Sequence, residues 1–145
     1  MKPIVILGVF VADLTFRNDR MPVTGQTLIG KSFKLGPGGK GSNQVIAARR
    51  AGADVYFIAM LGKDPFGQMA LDLYADEGVK TDYVFQTAEK DTGAADIMVN
   101  DLTGDNAIIL VNRESMRRNG VPINHGSTRK RHADTVKIFP ATTRC

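Results

Sequence analysis

The chain has no tryptophan, two histidines and a single cysteine, and that cysteine, Cys145, is the last of its 145 residues. A lone terminal thiol closes no internal disulfide and belongs to no zinc-ligand spacing. This points to a reducing, cytoplasmic setting. Long apolar runs are missing too. The longest, about ten residues after Lys2 in MKPIVILGVFVADL, is too short to span a bilayer. Its basic start resembles a signal peptide. However, it is rich in Val and Ile, contains Gly8 and stops at Asp13, where a buried strand would end. What remains is globular in composition, 43% hydrophobic and 23% charged, and long enough for one ordinary domain.

The net charge of +4 is unevenly placed. Residues 1–111 carry 11 Lys+Arg against 13 Asp+Glu, whereas residues 112–145 carry 8 against 2. The second stretch has nine hydrophobic residues without helical or strand period, and it is expected to be disordered or loosely attached. A nucleic-acid arm is the usual alternative for such a segment. Phe139 is its one aromatic able to stack on a base, so nucleic acid is not the favoured partner.

Periodicity predicts a buried strand from about Pro3 to Val9 and a half-exposed strand within Gly25 to Leu35. A helix over SNQVIAARRAG should stop at Gly52, and DVYFIAML reads as a second buried strand. DPFGQMALDLYADEGV reads as a helix capped by Asp64, with Pro65 in its first turn and Gly78 closing it. Met69, Leu71, Leu73, Tyr74 and Val79 should form its buried side, with Asp72, Asp76 and Glu77 outward. DYVFQT, GAADIMVN and NAIILV complete the set as short strands. This order indicates an α/β domain with right-handed crossovers.

The segment GPGGKGSNQVIAARRAG, residues 36–52, carries the chemistry. It is not a Walker loop, because Gly41 follows Lys40 where Ser or Thr is required. Gly36, Gly38 and Gly41 match a dinucleotide fingerprint in spacing, but the first buried strand ends well upstream instead of running directly into them. A glycine-rich turn that only redirects the backbone is the plain reading. Amides free at a helix start, the Lys40 ammonium and the Asn43 amide together suit an anion or a polyhydroxyl ligand.

These residues resemble a known family. GPGGKGSNQVIAARRAGADVYFIAMLGKDPFG, with Ala12-Asp13, PVTGQT at 22–27 and Thr92-Gly93, is similar to the N-terminal signature of the PfkB-type carbohydrate kinases, nearest to their ribokinase branch. The resemblance covers about residues 1–111. It implies the N-terminal half of a ribokinase-like α/β fold, truncated: a mostly parallel sheet with flanking helices, plus a small β lid. The lid would come from segments near 10–20, 27–35 and 92–100 and often serves as a dimer interface.

The resemblance further implies a sugar site, with Asp13, Gly38, Gly39, Lys40 and Asn43 contacting the hydroxyls of a sugar, most naturally a pentose. Asp13 would accept from two adjacent hydroxyls, as a charged acceptor does best; without the family, it reads as an ordinary strand-end carboxylate. Three positions depart from the pattern: Val11 stands where ribokinases usually carry a sugar-contacting Asn, Val45 where a small residue is preferred, and Gln26 for a common Glu. Asp96, inside an apolar strand, reads as an exposed lid residue.

The family transfers the γ-phosphoryl of ATP with Mg²⁺, using a GAGD-like motif with the catalytic aspartate and an NxxE motif that lie later in longer chains. Neither motif occurs here, so no catalytic residue is assigned and the ATP and Mg²⁺ sites are expected to be absent. Glu114 and Asp134 lack the required context, and His125 and His132 read as solvated. The break after Val111 is what a shifted reading frame or a fused gene product would leave. The expectation is a sugar kinase by descent, present as its sugar-binding half and inactive alone. The alternative is a non-catalytic sugar-binding or dimerising fragment.

Overall fold

Nine elements account for most of residues 2–111, which are those described by a computed structural model of the protein. In chain order they are β1 (Ile4–Leu7), β2 (Val11–Asn18), β3 (Ser32–Gly38), α1 (Lys40–Arg50), β4 (Val55–Gly62), α2 (Pro65–Asp76), β5 (Lys80–Thr87), β6 (Gly93–Asn100) and β7 (Asn106–Val111). They form two sheets. A parallel core sheet has the order β1-β4-β5, and a mixed sheet has the order β3-β2-β6-β7. In the second, β2 runs parallel to β6, while β3 and β7 add antiparallel edges.

The core follows from the alternation in β4. Val55, Phe57, Ala59 and Leu61 are buried on one face, and Tyr56, Ile58 and Met60 are half-buried on the other. Right-handed crossovers between successive parallel strands place α1 and α2 on the same face. There Val45, Ala70 and Tyr74 close over Ile6, Phe57 and Leu61. Tyr74 and Phe57 meet edge to face with ring centroids 5.3 Å apart, a preferred geometry for aromatic pairs.

The α2 boundaries match the expectation. Asp64 caps the helix by accepting from the Gly67 amide at 2.8 Å, and Gly78 follows with φ 66°. Its inward side is narrower than periodicity suggests. Ala70 and Tyr74 are fully buried, and Met69, Leu71 and Leu73 pack only at the core's margin. Glu77 is half-buried, paired with Arg50 of α1.

Several expectations need correction. The first strand ends at Leu7, and the apolar run then turns at Gly8–Phe10 and enters a separate strand of the other sheet. Asp13 is therefore interior to β2, not the end of a buried strand. Within Gly25–Leu35, pairing begins only at Ser32, because β3 is held in register by β2 and not by its own weak alternation. The lid has four strands, since β7 joins β6 from Ala94↔Val111 to Val99↔Asn106. The basic segment 112–145, with Glu114, His125, His132 and Asp134, lies outside the described residues.

Candidate functional site

The chain passes between the core sheet and the lid sheet at the roots of β2, β3 and β6, and the glycine loop lies at that junction. Val11 of β2 is paired with Gly38 of β3 on one side and with Gly93 of β6 on the other. Gly39 follows with φ 91° and forms the N-cap of α1, a conformation that costs a residue with a Cβ about 1 kcal/mol or more. Helix and first strand then approach very closely. A Cβ on Gly41 would lie 2.7 Å from the Gly8 Cα, so the signature glycine here sets the depth at which α1 seats on β1.

Asp13 is half-buried on β2, and its carboxyl lies directly against Gly38. Any Cβ at Gly38 would overlap that carboxyl. This is a side-chain reason for the glycine, separate from backbone freedom. Among the described residues no donor bonds the Asp13 carboxylate, and burial pushes its pKa up. An oxygen pair that is partly desolvated and without protein donors is suited to accept hydroxyls from a ligand.

The adjoining helix end is only partly satisfied, by the Ser42 amide donating to the Val9 carbonyl at 3.4 Å. No side chain caps α1, and its first turn holds no acidic residue, so its leading amides carry the positive end of the helix dipole. Lys40 and Asn43 are exposed on this first turn. Asp13, Gly38, Gly39 and Lys40 are thus brought together at one junction. Asn43 stands at the end of that first turn, its backbone amide donating to the Gly39 carbonyl at 2.9 Å. No side-chain hydrogen bond among the described residues joins Lys40 or Asn43 to Asp13.

Val11 and Val45 are both buried, at 5% and 0% exposure. Val11 belongs to the packing of the junction and offers nothing polar to a ligand. Asp96 is not the exposed residue expected. It is half-buried in β6, opposite Leu14 and Ile109, and its Oδ1 is buried without a hydrogen-bond partner.

Two supports escaped the sequence reading because each joins residues far apart in the chain. Ser42, one residue past Gly41, bonds the Tyr74 hydroxyl at 2.9 Å, with both side chains buried. Burial pushes the Tyr74 phenol up to about 12, opposed by that hydrogen bond. Asp64 bonds the Thr92 amide at 2.6 Å, and Thr92 Oγ1 accepts from the Gly62 amide at 2.9 Å. Helix α2 therefore holds both the glycine loop and the root of β6.

A profile of the pfkB family carbohydrate kinases matches residues 1–125. The chain belongs to that family. Within the pfkB family it is similar to the ribokinase of Bacillus subtilis, 38% identical over 77% of this chain and 37% of the relative. It is also similar to the ribokinase of Mus musculus, 36% identical over 74% of this chain and 33% of the relative. Among solved structures, Arabidopsis thaliana ribokinase complexed with ribose and ATP superposes with TM-score 0.69 at 33% identity. That match covers 76% of this chain and 36% of the other. Giardia lamblia ribokinase gives 0.71 at 36% identity, covering 77% and 36%. The α/β architecture is accordingly a partial ribokinase fold, and the chain spans about a third of the length of the pfkB relatives it matches. Among the described residues no helix is long and apolar enough to cross a membrane.

Proposed function

We propose that this chain is the sugar-binding and lid portion of a pfkB-type kinase and that it binds a pentose through Asp13 and the amides of the Gly38–Gly39–Lys40 turn, with Asn43 at the rim. The observation that carries this reading is the Asp13 carboxylate seated on Gly38 without a protein donor, beside an uncapped helix start. Vicinal hydroxyls would donate to the carboxylate. Ring oxygens and the remaining hydroxyls would accept from amides and from Lys40. A phosphate suits the junction less well, because Asp13 would face it with like charge.

The same reading gives residues 2–111 no part in holding ATP. The α2 N-terminus, the other helix start available to a phosphate, is closed by the Asp64 carboxylate. The proposal is that the chain alone binds sugar without turning it over, since positioning and charge stabilisation supply nearly all the acceleration in phosphoryl transfer. The lone Cys145 is consistent with a cytoplasmic setting.

The test is a thermal shift across a panel of pentoses and hexoses, followed by titration calorimetry. Ribose or a close pentose should raise the melting temperature by mass action, and Asp13→Ala should remove the rise. A flat response across the panel sinks the sugar site. ATP-dependent sugar phosphorylation by the isolated chain sinks the claim that it lacks turnover.

A second reading, a dimerising fragment, is favoured by one observation. The outer face of the lid sheet exposes Phe16, Phe33, Leu35 and Ile109, with the Phe16 and Phe33 rings 5.0 Å apart. Sedimentation of wild type against Phe16→Ser/Phe33→Ser decides it.

A further inference from the structure

The lid sheet meets the core along a single line. Chain passes between them at Phe10–Val11, Gly38–Gly39 and Thr92–Gly93, and the lid-side residues Val11, Gly38 and Gly93 occupy one register row across β3, β2 and β6. Two of the three are glycine. Neighbouring strands that leave a body in one row can rotate together about that row, as hinge elements do.

The core side of the row is fixed at two passages by the packing of Gly39 on Val9 and Phe10. The third passage, Thr92, is fixed by a carboxylate. Asp64 Oδ1 accepts from Gly67, the first turn of α2, while Oδ2 accepts from the Thr92 amide. The Thr92 hydroxyl returns a contact to Gly62 at the end of β4. Burial pushes the Asp64 carboxyl up, but the amides of Thr92, Gly67 and Phe66 outweigh it and hold the group below its ordinary value. Beyond Thr92 the lid stands away from α2 across a crevice of about 560 Å³, bordered by Pro65, Phe66, Ala94 and Val111. The crevice leaves room to move, and Thr92 is the point that does not.

We propose that Asp64 is the positioning residue for the lid: one oxygen caps α2 and the other pins the root of β6, so that the lid turns about the Gly38–Val11–Gly93 row and keeps Asp13, which β2 carries, aligned with the start of α1. The two oxygens have separable jobs. Asparagine caps helices about as well as aspartate, so Asp64→Asn can keep its carbonyl on Gly67. Its NH₂ would then face the Thr92 amide, donor against donor, and the pin is lost.

The experiment is native-state hydrogen exchange on the full chain without ligand, comparing amides of β6 with amides of α2. In Asp64→Asn the protection of β6 should fall about tenfold or more while that of α2 changes less than about threefold. Equal loss in both elements, or no loss in β6, overturns the proposal and leaves Asp64 an ordinary cap. Should Asp64→Asn fail to fold, Asp64→Ser takes its place. Its single hydroxyl can still cap α2 at Gly67 but leaves no second oxygen for the Thr92 amide, so it should loosen β6 alone, and equal loss in α2 or no loss in β6 overturns the proposal. A second arm titrates ribose and rests on the sugar-site reading above. Asp64→Asn should weaken binding several-fold although it touches no sugar, and unchanged affinity overturns the alignment role. If wild type binds no sugar, the sugar reading fails, while the exchange result still decides the pin.

Discussion

The two faces of the core sheet are built from the same three strands and have opposite fates. On one, Phe57, Ala59 and Leu61 are about 1% exposed or less beneath α1 and α2. On the other, among the described residues, no element covers Val5, Ile58, Met60, Tyr83 or Phe85. Leu7 is 62% exposed, Tyr83 49% and Phe85 50%. Parallel sheets are ordinarily covered on both faces, and an apolar patch of this kind marks a surface that something else occupies. The covered face holds these residues together, and the bare face is where they would adhere to other protein.

That contrast is open to direct attack. Phe57→Ala on the covered face should cost about 3–5 kcal/mol in urea unfolding, through lost transfer energy and the cavity left behind. Phe85→Ser on the bare face should change monomer stability by no more than about 0.5 kcal/mol while reducing self-association in light scattering. Comparable destabilisation by both would show that the bare face is covered in solution.

A smaller effect is expected at the buried pair beneath the glycine loop. Tyr74→Phe leaves the Ser42 hydroxyl without a partner and should cost about 1–3 kcal/mol, and adding Ser42→Ala should recover part of the loss in a double-mutant cycle. The pair also predicts a pH effect. Neutral Tyr74 is favoured in the folded state, whose phenol titrates near 12, whereas the unfolded phenol titrates near 10. Its contribution is therefore full below about pH 10 and is lost as pH rises through about 12. Tyr74→Phe should flatten that decline in an alkaline unfolding series.

The smallest change belongs to Lys80. Its ammonium pairs with Asp54 at 2.8 Å and sits 4.6 Å over the Tyr56 ring, at the margin of the bare face. Lys80→Ala should shift the unfolding midpoint barely, and less still in high salt, since exposed pairs are weak and screened.

Local signals were legible in the sequence. Alternation in β4, the Asp64 cap and the glycine stops fix their elements because each depends on neighbours within a turn or two. The glycine loop was legible as the entry to a helix, and the family resemblance grouped it with Asp13, whose carboxyl does lie against Gly38. What escaped depends on tertiary register. Asp13 reads as a strand end until β2 pairs with β6. Asp96 reads as exposed until β7 closes beside it, and Ser42 has no visible partner until α2 brings Tyr74 over α1. Gly38 has a further reason that only tertiary register shows. Its lack of a Cβ serves a carboxylate that lies far from it in the chain.

The parallel pairing of β2 with β6 bears on the order in which the molecule is made. Their far ends are tied by Arg17 and Asp101, 84 residues apart in sequence. Both helices of the core sheet, α1 and α2, lie inside that loop. Closing so long a loop is entropically costly until the intervening chain has compacted. During synthesis β1, α1 and β4 can therefore settle early, while the lid sheet waits for β6 to emerge. Until β6 emerges, β2 lacks its parallel neighbour, and β2 and β3 would be the segment most open to chaperones and proteases in the interval.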